Sequence, residues 1–130
     1  MGAKTILVVD DDEDTRDALR WALGGEGFAV ETASDGREAL AKLAALPKIG
    51  LVLLDLSMPV MSGWEMLEAL DRNDIPVIVV SAHVFDAKTM AAAARIHKTA
   101  GFMSKPIDIS KLIGVVRTFF PARSRSRSAP

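Results

Sequence analysis

The chain has no cysteine among its 130 residues, which excludes a disulfide framework, a thiolate metal site and a cysteine nucleophile. Nor does it have an apolar run approaching the ~20 residues that carry a helix across a bilayer. The opening MGAKTILVVD offers no secretory apolar region, because its hydrophobic stretch is short and ends in acids. Gly2 follows Met1, yet the myristoylation pattern needs a hydroxyl residue where Ile6 stands. Together these absences point to a cytoplasmic protein with no membrane attachment. Net charge is scarce too, at −1, and 49% hydrophobic with 25% charged residues is the balance of an ordinary single globular domain.

That small net charge conceals an asymmetry. Three of the 16 Lys and Arg residues stand in the closing PARSRSRSAP, so residues 1–120 carry 13 basic against 17 acidic groups, a net of −4. A body of that sign is a poor partner for nucleic acid. Residues 121–130 alternate Arg and Ser with no sizeable apolar side chain to bury. They are expected to be a disordered tail behind a domain spanning 1–120, and with nothing in that tail able to fold the chain either stands alone or is a piece of a longer one.

What is present begins with ILVVDDDED, residues 6–14, where four apolar residues run into five consecutive carboxylates. Like charges about 4 Å apart repel by roughly 1 kcal/mol in water, and by nearer ~4 kcal/mol at the effective dielectric of a protein surface. Packing does not favour such a block, so something must compensate it. Part of the answer is a helix start, since Asp12 or Asp14 can cap and acids favour the positive end of a helix dipole.

Five short apolar runs read as strands: TILVV (5–9), FAVET (28–32), GLVLL (50–54), IPVIVV (75–80) and AGFMS (100–104). The first, third and fourth are apolar on both faces, as in strands covered by helices on either side. Between and after them lie segments with helical spacing. Residues 14–24 place Ala18, Leu19, Ala22 and Leu23 on one stripe, and 35–46 carry Ala39, Leu40, Leu43 and Leu46. Met66, Leu67 and Leu70 mark 63–71, alanines dominate 86–98, and 108–120 repeats Ile109, Leu112, Ile113, Val116 and Phe119. This is an α/β chain of (βα)₅ form, a doubly wound five-stranded parallel sheet. In such sheets the functional crevice lies beyond the carboxyl ends of the strands, where strand order reverses.

Beyond those ends stand Asp10, Asp11 and Asp12 after the first strand, Asp55 after the third, Ser81 after the fourth and Lys105 after the fifth. The second strand contributes Ala33 and Ser34, with no evident chemistry. A hard divalent cation such as Mg²⁺ takes one or two carboxylates, water and a phosphate oxygen. A hydroxyl and an ammonium suit a phosphoryl anion, and a carboxylate can itself be the nucleophile that becomes an acyl phosphate.

ILVVDDDEDTR, LVLLDLSMPVMSGWEML, VIVVSAH and FMSKPID, in that order and spacing, resemble the bacterial response-regulator receiver domain, as found in chemotaxis regulators. The resemblance covers about residues 4–120 and implies the flavodoxin-like strand order 2-1-3-4-5. It implies that Asp55 is the phosphoacceptor and that Asp10, Asp11, Asp55 and the main-chain carbonyl of Ser57 hold Mg²⁺. Ser81 and Lys105 then contact the phosphoryl group, with Lys105–Pro106 a cis peptide. Ser81 and Phe102 take the switch positions, and Ser57 and His83 tune how fast the phosphoryl group is lost. The implied partners are a histidine kinase or histidine phosphotransfer protein upstream and a protein target downstream, met through the fourth and fifth helices, with dimerisation on phosphorylation a further option.

There are departures from the family. Ser62 stands where Asp is common, and Ser caps a helix nearly as well. Lys98 stands where a glycine usually ends the fourth helix, and the stretch from Ser81 to Lys105 is longer than usual, so that helix is expected to be shifted or reshaped. Trp21 and Trp64 fall off the apolar stripes and are expected to be half-exposed, and His97 to lie at the surface. Two other functions compete. A haloacid-dehalogenase-like phosphatase also ends its first strand on Asp-x-Asp (Asp10 and Asp12), but it needs a late acidic pair, and only Asp108 follows Lys105. A receiver fold that never takes phosphate and serves as an interaction module would carry the same residues.

Overall fold

The computed structural model describes residues 5–56, 58, 60–71, 74–82, 87–96 and 99–120, the side chain of Thr89 excepted. Five strands alternate with five helices: β1 (Thr5–Val9), α1 (Glu13–Gly25), β2 (Ala29–Ala33), α2 (Gly36–Ala45), β3 (Ile49–Asp55), α3 (Gly63–Ala69), β4 (Val77–Ser81), α4 (Ala87–Ile96), β5 (Thr99–Ser104) and α5 (Ile109–Phe119). All neighbouring strands pair in parallel, in the order β2-β1-β3-β4-β5. The chain therefore reverses direction across the sheet at β1 and β3, and the crevice of a doubly wound fold opens between their carboxyl ends.

Side-chain alternation sorts the core into two layers. From β1, Ile6 and Val8 point to one face and pack with Leu19 and Leu23 of α1 and Leu112 and Val116 of α5. Leu7 and Val9 point to the other and pack with Ala39 and Leu43 of α2 and Met66 and Leu67 of α3. Central β1, β3 and β4 are buried throughout apart from Gly50, whereas edge strands β2 and β5 are mostly half-buried. Burying a Leu, Ile or Val side chain is worth roughly 1.5–3 kcal/mol each, so the three central strands dominate the stability of the sheet.

Helix starts follow local chemistry. Asp12, Asp35, Ser62 and Asp108 cap α1, α2, α3 and α5, each accepting from a main-chain N–H three residues on. Ser62 and Glu65 complete a reciprocal capping box, as the serine's capping ability led one to expect. Two expectations need correction. Ala18 is exposed rather than part of the α1 stripe, and the residues that α1 buries are Leu19 and Leu23. Trp21 is 83% exposed rather than half-exposed, since it projects from the solvent side of α1, whereas Trp64 does rest half-buried against the α2–α3 core. The expected reshaping near Lys98 and the place of His97 lie outside the described residues, as do residues 121–130.

Candidate functional site

Apart from Thr5, the buried polar side chains among the described residues all sit at the carboxyl ends of the central strands: Asp10 (3% exposed), Asp55 (4%) and Ser81 (1%). Parallel pairing forces this convergence. Residues that close β1, β3 and β4 fall on one edge of the sheet whatever their distance in sequence.

The β1 end is held by the backbone around it. The Asp10 N–H donates to the Ala33 carbonyl of β2 at 3.1 Å. Its Oδ1 accepts from the Asp12 N–H at 2.9 Å, and its carbonyl accepts from Arg16 Nη1 at 2.7 Å. Asp11 faces solvent next to it. Asp12 turns away to cap α1, and the Thr15 hydroxyl that donates to it lowers its pKa. The opening acidic block thus divides, with Asp12 serving the helix and Asp10 and Asp11 left at the crevice.

Asp55 closes β3, and the turn behind it is fitted to the backbone. Gly63 donates its N–H to the Leu56 carbonyl at 3.0 Å, and a Cβ there would stand 2.5 Å from the Asp55 carbonyl oxygen and 2.7 Å from Leu56 Cα. Only glycine permits that approach. Val60, in the same turn, adopts φ +69° with its side chain 70% exposed, a left-handed conformation that β-branched residues avoid. The Gly36 N–H at the start of α2 meets the Met61 carbonyl at 3.3 Å, which ties the turn to the neighbouring helix.

Lys105 joins the strand ends. Its N–H donates to the Ser81 carbonyl at 2.8 Å, and the Lys105–Pro106 peptide is cis, as expected. Its Nζ lies 2.9 Å from Asp10 Oδ2 and 3.3 Å from Asp55 Oδ2. Burial on its own would lower the pKa of this ammonium. The hydrogen bond and charge of Asp10, followed by those of Asp55, outweigh burial and raise it.

One carboxylate oxygen each from Asp10, Asp11 and Asp55 lies within 4.8 Å of the other two. Three hard oxygen donors against one ammonium suit a divalent cation of the Mg²⁺ class, with coordination left for water or phosphate. The structure thus brings together Asp10, Asp11, Asp55 and Lys105, with Ser81 beside them on the β4 end. Phe102 is half-buried on β5 against the α2–α3 side of the core. Ser57 and His83 lie outside the described residues. From sequence alone Arg16 was missed and Ser34 showed no chemistry. Arg16, four residues past the capping Asp12, is turned back over the β1 end by the helical repeat, and that spacing was the available signal. Ser34, at the β2 end, donates both its N–H and its hydroxyl to Glu38 Oε1, at 2.8 and 2.9 Å.

A (βα)₅ sheet of this order with an acidic trio and a lysine at its switch point defines the receiver class of signalling domains. The chain belongs to the response regulator receiver domain family, which it matches over residues 6–117. It is 38% identical over 122 residues to a 14.6 kDa protein of Leptolyngbya boryana, covering 88% of each chain. To the response regulator MprA of Mycolicibacterium vanbaalenii it is 36% identical over 114 residues, 86% of this chain and 48% of that one. The chain thus spans about half the length of that relative. Among solved structures it resembles the response regulator TrrA of Thermotoga maritima in complex with Mg²⁺-BeF, at TM-score 0.77 and 28% identity over 90% of this chain and 99% of that one. Receiver domains are signalling domains of two-component systems rather than classical enzymes, and the family binds Mg²⁺ at an acidic pocket and works with histidine kinases and downstream targets. Among the described residues no helix is long and apolar enough to cross a membrane.

Proposed function

We propose that this receiver is a phosphorylation-activated switch in which Asp55 is the phosphoacceptor. The observation that carries this reading is the position of Asp55, buried at the end of β3, 3.3 Å from the Lys105 ammonium and within 4.8 Å of the Asp10 and Asp11 carboxylates. A phosphoryl group arrives from a histidine kinase, a histidine phosphotransfer protein or a small phosphodonor. An Asp55 carboxylate oxygen bonds to phosphorus as the donor's phosphorus–nitrogen or phosphorus–oxygen bond breaks, and the donor leaves with that electron pair.

Asp10, Asp11 and Asp55, with the Ser57 carbonyl by family resemblance, are the residues that would hold Mg²⁺. When bound, Mg²⁺ neutralises charge on the transferred phosphoryl oxygens. Lys105 is released from its two carboxylates to pair with the phosphoryl group, and the Ser81 hydroxyl donates to it. Phosphorylation adds roughly one to one and a half negative charges by analogy with other phosphorylated side chains. The shift of Ser81, with Phe102 on the adjacent strand, passes this to the α4–β5–α5 surface that meets a protein target or a second copy. Ser57 and His83 set the lifetime of the phosphoryl group.

The test is intact mass after incubation with Mg²⁺ and acetyl phosphate. The native chain gains one phosphoryl group and Asp55→Asn gains none. Equal labelling of Asp55→Asn removes Asp55 from the role, and no labelling of either chain gives the protein over to an interaction module with a receiver fold.

A further inference from the structure

Receiver chemistry is usually located in the groups that touch the metal and the phosphoryl group, yet the Asp10–Asp11 segment has to be held in place by something. Three features converge on it. The Asp10 N–H is tied to Ala33 of β2 and its Oδ1 to the Asp12 N–H. On the remaining side, the Asp10 carbonyl accepts from Arg16 Nη1 at 2.7 Å, the shortest of these bonds. Arg16 is half-buried, and its charge reaches across the β2–α2 turn to Glu38, which the Ser34 N–H and hydroxyl hold in position. Arg20, one turn further along α1, spans from the helix to the Thr32 hydroxyl of β2 at 2.9 Å.

An arginine close to a site meant for a divalent cation is unfavourable on electrostatic grounds, since it repels the ion the carboxylates attract. Its placement is explained if its hydrogen bond matters more than its charge. We propose that Arg16 is a positioning residue for the metal site: by clamping the Asp10 carbonyl it fixes the Asp10–Asp11 peptide so that both carboxylates face the crevice. This rests on reading Asp10, Asp11 and Asp55 as the Mg²⁺ ligands.

Charge and position predict opposite signs. If only charge matters, removing it tightens Mg²⁺ binding. At a separation on the order of 8 Å in water the gain is roughly fivefold, falling to about twofold when screened at physiological salt. If the clamp matters, losing it weakens binding by roughly 10-fold, the lower end of what outer-shell partners of metal ligands contribute. The net expectation for Arg16→Met is therefore about fivefold weaker Mg²⁺ binding at physiological salt, with the loss growing as added salt screens the charge. Arg16→Lys keeps a donor and the charge and is expected to stay within about twofold of the native chain.

The measurement is Mg²⁺ titration by calorimetry on the full chain, at two ionic strengths, for the native protein, Arg16→Met, Arg16→Lys and Asp10→Asn. Urea unfolding without Mg²⁺ checks that each variant folds, and Arg16→Gln replaces Arg16→Met under the same criteria if the latter does not. Weaker binding by Arg16→Met with rescue by Arg16→Lys supports the clamp. Unchanged or tighter binding by Arg16→Met overturns it while leaving the metal site intact. A native chain that binds no Mg²⁺, or binds it as well with Asn at position 10, overturns the site reading and the clamp together.

Discussion

The two edges of this one sheet are built on opposite principles. At the amino edge, packing closes the chain on itself. Arg117 near the end of α5 pairs with Glu26 and stacks 5.9 Å over the Phe28 ring, which in turn lies 6.2 Å from Phe120. The Arg117–Glu26 pair matches charge within the chain, and the one buried polar side chain on β1 is Thr5, whose hydroxyl has no hydrogen-bond partner among the described residues. At the carboxyl edge three carboxylates face one ammonium, two of those carboxylates are almost fully buried, and Gly63 and Val60 strain or crowd the backbone to keep them there. The amino edge is closed by contacts within the chain; on the proposed function, the carboxyl edge is completed from outside, by a cation and a phosphoryl group. Stability and function are separated by the length of a five-residue strand.

The contrast breaks most sharply at Gly63. A methyl group there meets main-chain atoms of Asp55 and Leu56, at 2.5 and 2.7 Å, and neither is the tip of a flexible side chain that could move aside. Gly63→Ala is expected to cost about 3 kcal/mol or more in urea unfolding, toward the upper end of overpacking effects, and to abolish labelling of Asp55. A Gly63→Ala chain of native stability and labelling would show that the turn is not the constraint argued for.

Next in size is Lys105→Met. Without the ammonium, Asp10 and Asp55 are buried beside each other with no cation between them. Removing one partner from a buried ion pair costs about 3–5 kcal/mol, and the 24% exposure of the Lys105 side chain reduces this to about 2–3 kcal/mol in the absence of Mg²⁺. Added Mg²⁺ is expected to restore part of the loss, because binding to the folded state alone stabilises it. Arg117→Met at the opposite edge is the control, with no Mg²⁺ dependence at all. A Mg²⁺-independent loss at Lys105 would place the two edges in the same class.

Smaller and of opposite sign is Val60→Asn. Asn tolerates the left-handed conformation at φ +69° that Val resists, and little packing is lost from a residue 70% exposed. A gain of about 0.5–1 kcal/mol is expected in urea unfolding. No gain would mean that contacts of Val60 offset its backbone strain.

Most of this edge was legible in the sequence because it depends on topology. Once five apolar runs alternate with amphipathic segments, Asp10, Asp55, Ser81 and Lys105 must meet, and the motif spacing then supplies family roles. Strand limits shifted by one or two residues, as with β4 starting at Val77 rather than Ile75, because Ile75 and Pro76 are apolar yet precede the ladder. What remained hidden is what side-chain reach decides. The spacing of Arg16 from the capping Asp12 puts it over the β1 end but does not tell that it bonds a main-chain carbonyl, and Trp21 looks like packing until the helix is rotated against the sheet. Ser34 was passed over because its partner, Glu38, lies on the following helix and not at a strand end.

That Ser34–Glu38 contact gives the mildest test, and the one that depends on pH. The pKa of Glu38 is lowered below its ordinary value of 4.5, first by the Ser34 N–H and then by the Ser34 hydroxyl, against a small opposing effect of burial, with Lys42 and Arg16 adding to the lowering. A carboxylate with a depressed folded-state pKa contributes stability above its unfolded value and loses it as pH falls through the folded value. Glu38→Gln should therefore be less stable than the native chain at pH 7, by under about 1 kcal/mol for hydrogen bonds this close to solvent. The difference should begin to narrow as pH drops below about 4.5, where the unfolded chain takes up the proton. It should close once pH has fallen through the lower folded-state value, where the native glutamate is neutral too. A gap that stays constant from pH 7 to pH 3 would assign the effect to shape rather than charge.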